Sequence, residues 1–227
     1  TMRKEFVANV SHELRTPLTT IKSYAETLLD GAMEEKELSY QFVNVINDEA
    51  DRMTRLVNNL LELSRIDNRE TSWDLIPIDS VTVLNEVIKK MKVNIQRKSQ
   101  ILEVNLPQKS PEILADKDKI EQVFQNILSN ANKYTPEGGK ISIDLYCTDK
   151  MVNITFKDTG IGIPKEDLPR IFERFYRVDK TRSREMGGTG LGLSIAQEIV
   201  RALDGEIQIE SEPGKGTCVT VCIPTLS

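Results

Sequence analysis

FVANVSHELRTPLTTIKSYAETLLDGA, residues 6 to 32, decides how this chain begins to fold. Its apolar residues Phe6, Val10, Leu14, Leu18, Ile21, Ala25 and Leu28 recur in steps of three and four, the spacing of one stripe on an α-helix. Asp30 and Gly31 end the pattern, and Phe42, Val45, Ile46, Met53, Leu56, Leu60 and Leu63 resume it on a second helix that fades near Ile66. Long helices joined by so short a connection lie antiparallel. The first alone runs about 42 Å at 1.5 Å per residue, and a hairpin of two such stripes has too little partner surface to bury both. A homodimeric four-helix bundle is the expected remedy. The first helix opens without a cap, as a piece of something longer would.

RIDNRETSWDLIPID (65 to 79) carries the polar and proline signals of a boundary, dividing the chain into a helical module (1 to 68), a linker (69 to 78) and a second module (79 to 227). In that second module, helical patterns near 80 to 97 and 117 to 133 alternate with two-residue periodicity in ISIDLYC (141 to 147), VNITF (152 to 156), EIQIE (206 to 210) and CVTVCI (218 to 223). It is therefore mixed α and β. Turn residues at Pro136 to Gly139 and at Thr148 to Lys150 predict antiparallel strand pairs.

The net charge of −5, from 30 basic and 35 acidic residues, gives no general attraction to nucleic acid or an anionic membrane, and neither is an expected partner. Cys147, Cys218 and Cys222 are odd in number and sit in alternating apolar stretches, so they read as reduced core residues. No apolar run approaches the roughly 18 residues needed to span a bilayer.

One histidine occurs in 227 residues, so any histidine chemistry runs through His12. On the helix it turns away from the Val10, Leu14, Leu18 stripe and faces solvent. An exposed lone histidine is commonly a bland surface residue, but its neighbours are suited to chemistry. Glu13 can accept a hydrogen bond from one ring nitrogen and raise the nucleophilicity of the other. Thr16 shares the histidine's face one turn on, and Pro17 cannot bond the carbonyl of Glu13, which predicts a bend or loosening there. Ser11 and His12 cannot form a hydrolase pair, because adjacent helical side chains point about 100° apart.

In IEQVFQNILSNANKYTPEGG (120 to 139), Asn126, Asn130 and Lys133 fall at i, i+4 and i+7 along the margin of a buried stripe. Two amide oxygens and an ammonium on one edge could hold a divalent cation and phosphates; singly, each is more often a solvated edge residue, and the set of three is harder to dismiss. In VNITFKDTGIGIP (152 to 164), Asp158 continues the apolar face of Val152, Ile154 and Phe156, so its carboxylate needs a donor. An adenine amine would supply one, with Gly160 and Gly162 admitting a flat base; a simple strand-end turn acid is the other reading. MGGTGLGLSIAQEIV (186 to 200) runs four glycines into a helix, a natural phosphate cradle. The charged flank before it fits a mobile lid better than a dinucleotide fold, and Arg174, Arg177, Lys180, Arg182 and Arg184 give that lid a positive bias.

With these stretches in view, the chain resembles the catalytic region of a two-component sensor histidine kinase. SHELRTP is similar to the phospho-acceptor box, NILSNANKYT to the asparagine box, DTGIGIP to the first glycine box, RIFERFYR to the phenylalanine box, GGTGLGL to the second glycine box and GKGT (214 to 217) to a later glycine turn. Six boxes in the family's order span nearly the whole chain, and the wording is most similar to the cell-wall-regulating subgroup. Asn132 departs from the pattern, where the family more often has an apolar residue.

The resemblance implies a dimerisation and phosphotransfer hairpin forming a dimeric four-helix bundle, followed by a Bergerat-type ATP-binding α/β sandwich with a mixed, mainly antiparallel sheet. It implies that His12 takes the γ-phosphate of ATP, that Glu13 is its base partner, and that Thr16 orients water when phosphate is removed from a response regulator. It further implies Asn126 and Asn130 as Mg²⁺ and phosphate ligands, Lys133 and Tyr134 as nucleotide contacts, and Asp158 with Gly160 and Gly162 as the adenine site. Gly188, Thr189, Gly190, Leu191 and Gly192 would form the lid's phosphate end, with Arg177 on the γ-phosphate. The implied partners are a second copy and a cognate response regulator, and the implied setting is the cytoplasmic portion of a membrane-anchored bacterial sensor whose upstream segments lie outside this chain. Two rivals use the same nucleotide fold. An ATPase clamp would release phosphate to water without need of His12, and a helical adaptor would bind nucleotide with no covalent product.

Overall fold

The three-and-four spacing becomes two helices, α1 (Met2–Leu29) and α2 (Lys36–Asp67), in the computed structural model, which describes residues 2–68, 73–148, 150–179 and 188–226. A short 3-10 turn, Ala32–Glu34, joins them after Gly31. Tyr24 meets Phe42 edge-on with ring centroids 4.9 Å apart, and Glu13 pairs with Arg52, so positions rise on one helix as they fall on the other, as an antiparallel hairpin requires. Leu56 and Leu63 are buried, whereas Leu18, counted on the first stripe, is 56% exposed, and Val7, Val43, Val57 and Leu61 are exposed too. Among the described residues no helix is long and apolar enough to cross a membrane.

Pro17 is buried and α1 runs through it unbroken. Around it the hydroxyls of Ser11, Thr16, Thr19 and Thr20 donate to the carbonyls of Val7, His12, Arg15 and Thr16 at 2.9, 3.3, 2.9 and 3.2 Å, one turn back each time. Such bonds occupy carbonyls locally and weaken a helix without ending it.

The described residues divide into two compact units, Thr1–Arg65 with Asp179–Gly190, and Ile66–Val178 with Leu191–Ser227. In the second, β1 (Ile76–Asp79), α3 (Ser80–Arg97), β2 (Ile101–Asn105), β3 (Glu112–Ala115), α4 (Lys117–Tyr134), β4 (Lys140–Cys147), β5 (Met151–Asp158), α5 (Gly192–Ala202), β6 (Glu206–Glu212) and β7 (Gly216–Pro224) follow in order. The strands form a five-stranded sheet in the order β2-β4-β5-β7-β6, with only β2 and β4 parallel, and an antiparallel ribbon of β1 with β3. The mixed, mainly antiparallel sheet matches the expectation. Ile76 to Ile78, assigned to the linker, instead pair with Ala115 to Ile113. The Pro136 to Gly139 turn leads from α4 into β4 rather than between strands, while Thr148 donates to the carbonyl of Met151 at 2.9 Å to close the β4-β5 hairpin; Asp149 lies outside the described residues.

The core lies where Val83, Leu84 and Val87 of α3, Val123, Phe124 and Ile127 of α4 and Ile195 and Ile199 of α5 meet Ile141 and Ile143 of β4, Ile154 and Phe156 of β5 and Val221 of β7, all buried. Phe124 and Phe156 stack at a tilt, centroids 6.1 Å apart. Cys222 is buried as expected, but Cys218 is half-buried and Cys147 exposed: Cys147 ends β4, and Cys218 shares the strand face of Thr220, opposite the core residues Val219 and Val221.

At the C-terminus of α4, Lys98 Nζ donates to the carbonyls of Asn132, Lys133 and Thr135 at 2.8, 3.0 and 3.2 Å. Gln100 Nε2 donates to those of Asn132 and Thr135 at 3.0 and 2.7 Å, and its Oε1 accepts from Asn132 Nδ2 at 2.7 Å. An ammonium and an amide thus take up carbonyls that a helix end leaves unpaired. This lock explains Asn132, the residue departing from the family pattern, and holds α4 beside the site.

Candidate functional site

His12 is exposed on α1, and Arg15, Thr16, Thr19, Thr20, Ser23 and Tyr24 line a shallow groove with it. The hydroxyl of Thr16 donates to the carbonyl of His12, placing it on the histidine's face as the spacing requires. Glu13 turns toward α2, where its carboxylate stands 3.7 Å from the guanidinium of Arg52. Arg52 is 9% exposed and also stands 3.7 Å from Glu49. Sequence reasoning missed this residue. The signal was present, since Arg52 lies four residues before buried Leu56, on the stripe face.

In the second unit, the alternation of β5 carries Asp158 to the buried side of the sheet, where it is 7% exposed. Oδ1 accepts the backbone N–H of Gly160 at 2.8 Å and of Thr217 at 3.2 Å. Burial pushes its carboxyl above the ordinary carboxylate value, and the two backbone donors pull partly the other way. With both donors on Oδ1, Oδ2 is the oxygen left to take a ligand's amine. The turn-acid reading therefore holds at Oδ1, and a ligand could meet the carboxylate only at the other oxygen. Thr217 was missed as a site residue, although GKGT had marked its turn.

The glycines here answer to protein backbone. A Cβ on Gly160 would sit 2.6 Å from the carbonyl oxygen of Tyr134, and one on Gly162 would sit 2.1 Å from that of Glu212. At Gly216, with φ +100°, a Cβ would fall 1.9 Å from the carbonyl oxygen of Asp158. These contacts bring the strand ends close enough to build the donor pair around Asp158, so Gly160 and Gly162 serve the site by packing it.

Asn126, Asn130, Lys133 and Tyr134 are half-buried along α4. Asn126 Nδ2 donates to the carbonyl of Gly192 at 3.1 Å, tying α4 to the first residue of α5 and leaving Oδ1 as the amide's other polar atom. Lys133 Nζ lies 5.0 Å from the centroid of the Tyr134 ring. Leu191, fully buried, precedes α5, whose first turn has no side-chain cap, the kind of helix start that can receive an anion. Gly188, Thr189 and Gly190 fall in the first unit, where Thr189 Oγ1 accepts from Asn59 Nδ2 at 3.3 Å.

Arg177 is half-buried. Arg174, assigned to the lid's positive bias, instead forms a two-pronged ion pair with Asp67, with Nη2 to Oδ1 at 2.6 Å and Nη1 to Oδ2 at 2.7 Å. Lys180, Arg182 and Arg184 lie outside the described residues. Among the described residues no cluster of three His, Cys, Asp or Glu side chains could hold a metal, so a cation here would rest on amide oxygens and phosphates.

Comparison with known proteins bears on both units. Residues 2–69 match the family model of the His Kinase A (phospho-acceptor) domain, and residues 115–227 that of the histidine kinase-, DNA gyrase B- and HSP90-like ATPase. The chain is 47% identical over 224 residues to the sensor histidine kinase WalK of Bacillus subtilis, covering 98% of this chain and 36% of that relative, so it spans just over a third of the relative's length. Among solved structures, the Acinetobacter baumannii histidine kinase AdeS aligns with a TM-score of 0.76 at 26% identity, over 95% of this chain and 98% of that one. Full-length ShkA in complex with AMPPNP aligns with a TM-score of 0.73 at 28% identity, over 98% of this chain and 46% of that one.

Proposed function

The chain belongs to the sensor histidine kinases, carrying their phospho-acceptor and ATPase domains, and from that premise we propose that it moves the γ-phosphoryl group of ATP to His12 and onward to an aspartate of a response regulator. The observation that carries the reading is the sole histidine, exposed on α1 of a phospho-acceptor domain with Thr16 on its face and Glu13 beside it. One ring nitrogen attacks the γ-phosphorus, the β–γ bridging oxygen leaves with the bonding pair as ADP, and the proton on the other ring nitrogen passes to Glu13. Asp158 reads adenine through Oδ2, and the uncapped first turn of α5 receives phosphate oxygens. Asn130 and Asn126 would hold Mg²⁺, for which the oriented Oδ1 of Asn126 is a fitting donor. The cation supplies charge neutralisation on the phosphates. Lys133, Tyr134 and Arg177 complete the nucleotide contacts.

The exposed apolar residues of α1 and α2 support the dimeric bundle, and residues 1 to 68 act as one module while the other begins with β1 at Ile76. Thr16 positions water when the regulator is dephosphorylated. Placement on the cytoplasmic side of a membrane-anchored sensor belongs to the same proposal. The test is labelling with γ-labelled ATP. Wild-type protein takes acid-labile, base-stable label and His12→Gln takes none; equal labelling of both rejects the acceptor, and phosphate release to water without label favours the ATPase clamp.

A further inference from the structure

We propose that Gln100 and Asn132 are positioning residues for the adenine site: as an amide pair they fix the last carbonyls of α4, and through the carbonyl of Tyr134 they set the turn in which Gly160 meets Asp158. This rests on the reading of Asp158 as the adenine contact. Gln100 is 7% exposed and its amide is engaged at both ends, with Nε2 donating to the carbonyls of Asn132 and Thr135 at 3.0 and 2.7 Å and Oε1 accepting from Asn132 Nδ2 at 2.7 Å. The backbone bends to bring it there. Ser99, the residue before it, takes φ +51°, a left-handed conformation that disfavours any residue with a Cβ. The segment is tied down on either side, since Gly138 N–H donates to the carbonyl of Lys98 at 3.0 Å and Ile101 N–H to that of Gly139 at 2.8 Å.

The carbonyls of Lys133 and Thr135 turn toward Lys98 and Gln100. Between them, the carbonyl of Tyr134 turns to the adenine side and accepts the N–H of Ile161 at 3.3 Å. Gly160 passes so close to that oxygen that an added Cβ would fall 2.6 Å from it, and its own N–H donates to Asp158 Oδ1 at 2.8 Å. A shift at the end of α4 therefore reaches the Asp158 carboxylate through backbone contacts alone. The far side of the same turn is held as well, because Thr159 N–H donates to the carbonyl of Lys140 at 3.0 Å and Thr159 Oγ1 accepts from Lys140 N–H at 2.9 Å.

Lys98 Nζ donates to the carbonyls of Asn132 and Thr135 at 2.8 and 3.2 Å, so the helix end keeps a donor without Gln100. What the amide adds is spacing. An ammonium on a flexible stem follows its acceptors as they move, whereas a planar amide bonded at both its nitrogen and its oxygen has one fit. Recognition of a flat base through one carboxylate oxygen tolerates an error of only about 0.5 Å, which makes that fit a matter of nucleotide affinity as well as of stability.

The experiment measures ADP affinity by calorimetry, His12 labelling kinetics and melting temperature on the whole chain in wild type, Asn132→Leu, the double variant Gln100→Leu with Asn132→Leu, and Asp158→Asn. Expected are a fall in ADP affinity of about threefold for Asn132→Leu and about tenfold for the double variant, with KM for ATP rising in step and kcat within about twofold of wild type. The double variant should melt higher than Asn132→Leu, because it strands no buried acceptor, and still bind ADP more weakly. Affinity that recovers together with melting temperature overturns the inference, since a merely structural pair moves both alike. So does wild-type ADP affinity in the folded double variant, or in folded Asn132→Leu should the double variant fail to fold, and so does a loss confined to kcat. Wild-type ADP affinity in Asp158→Asn removes the adenine reading and this inference together; a loss there with both amide variants unaffected removes only this inference.

Discussion

Thr217 donates its backbone N–H to Oδ1 of Asp158 at 3.2 Å, onto the oxygen already bonded by Gly160. Asparagine would preserve an oxygen for both donors while removing the charge. Burial raises the carboxyl's pKa above 3.8, so the contribution of Asp158 to stability is full below that value and lost as pH rises through the raised one. Asp158→Asn should therefore keep or raise the melting temperature at pH 7 while weakening adenine nucleotide binding about tenfold or more. Calorimetric melting and titration with a non-hydrolysable ATP analogue check the two halves, and a marked fall in melting temperature would show that the charge itself holds the fold.

The Asp67–Arg174 pair predicts the opposite pH dependence. The hydrogen bond from Arg174 holds the Asp67 carboxyl below 3.8, so its stabilisation is present above that value and lost as pH falls through the lowered one. Because Asp67 is 46% exposed, the pair contributes about 1 kcal/mol or less. Urea melts of Asp67→Asn against wild type should show that deficit at pH 7 and its progressive decline as pH falls below 3.8.

Alanine at Gly216 should be severe. Its Cβ would fall 1.9 Å from the carbonyl oxygen of Asp158 at a φ of +100°, so strain and overlap add, and a loss of roughly 3 kcal/mol or more is expected. Gly214→Ala isolates the backbone effect, since its φ is +77° with nothing within 4 Å, and should cost only about 1 kcal/mol. Similar denaturation midpoints for the two variants would rule out the close approach.

Asn132→Leu removes the donor to Gln100 Oε1 on a side chain that is 7% exposed. An unsatisfied buried acceptor costs about 1–3 kcal/mol. Replacing both residues by leucine should recover part of that loss, and a double-mutant cycle showing simple additivity would deny the coupling.

Thr16→Ala should leave His12 labelling within about twofold of wild type while slowing removal of phosphate from the regulator by about tenfold or more. Unchanged phosphatase activity would reassign the hydroxyl to its bond with the carbonyl of His12 alone.

Periodicity made the two long helices, α3, α4 and four strands legible, because each buries one face against a partner and repeats that demand along its length. Strands β2 and β3 were not legible. Each is only four or five residues long, and Ile101, Val104 and Leu114 are exposed, so no alternation marks them. The boundary strand β1 was obscured by Pro77, which an edge ribbon tolerates.

By itself the sequence determined the residue types and local order of the chemistry: one histidine with Glu13 next to it and Thr16 one turn on, amides spaced along α4, and glycines ahead of α5. Only tertiary structure decided which groups answer one another. Arg52 reaches Glu13 from the other helix, Thr217 reaches Asp158 from a strand 59 residues away, and Arg174 belongs to Asp67 rather than to the lid. The physical reason is that local spacing sets which face a side chain takes, whereas the partner of a buried charge is chosen by whichever donor the packing of distant elements carries within reach.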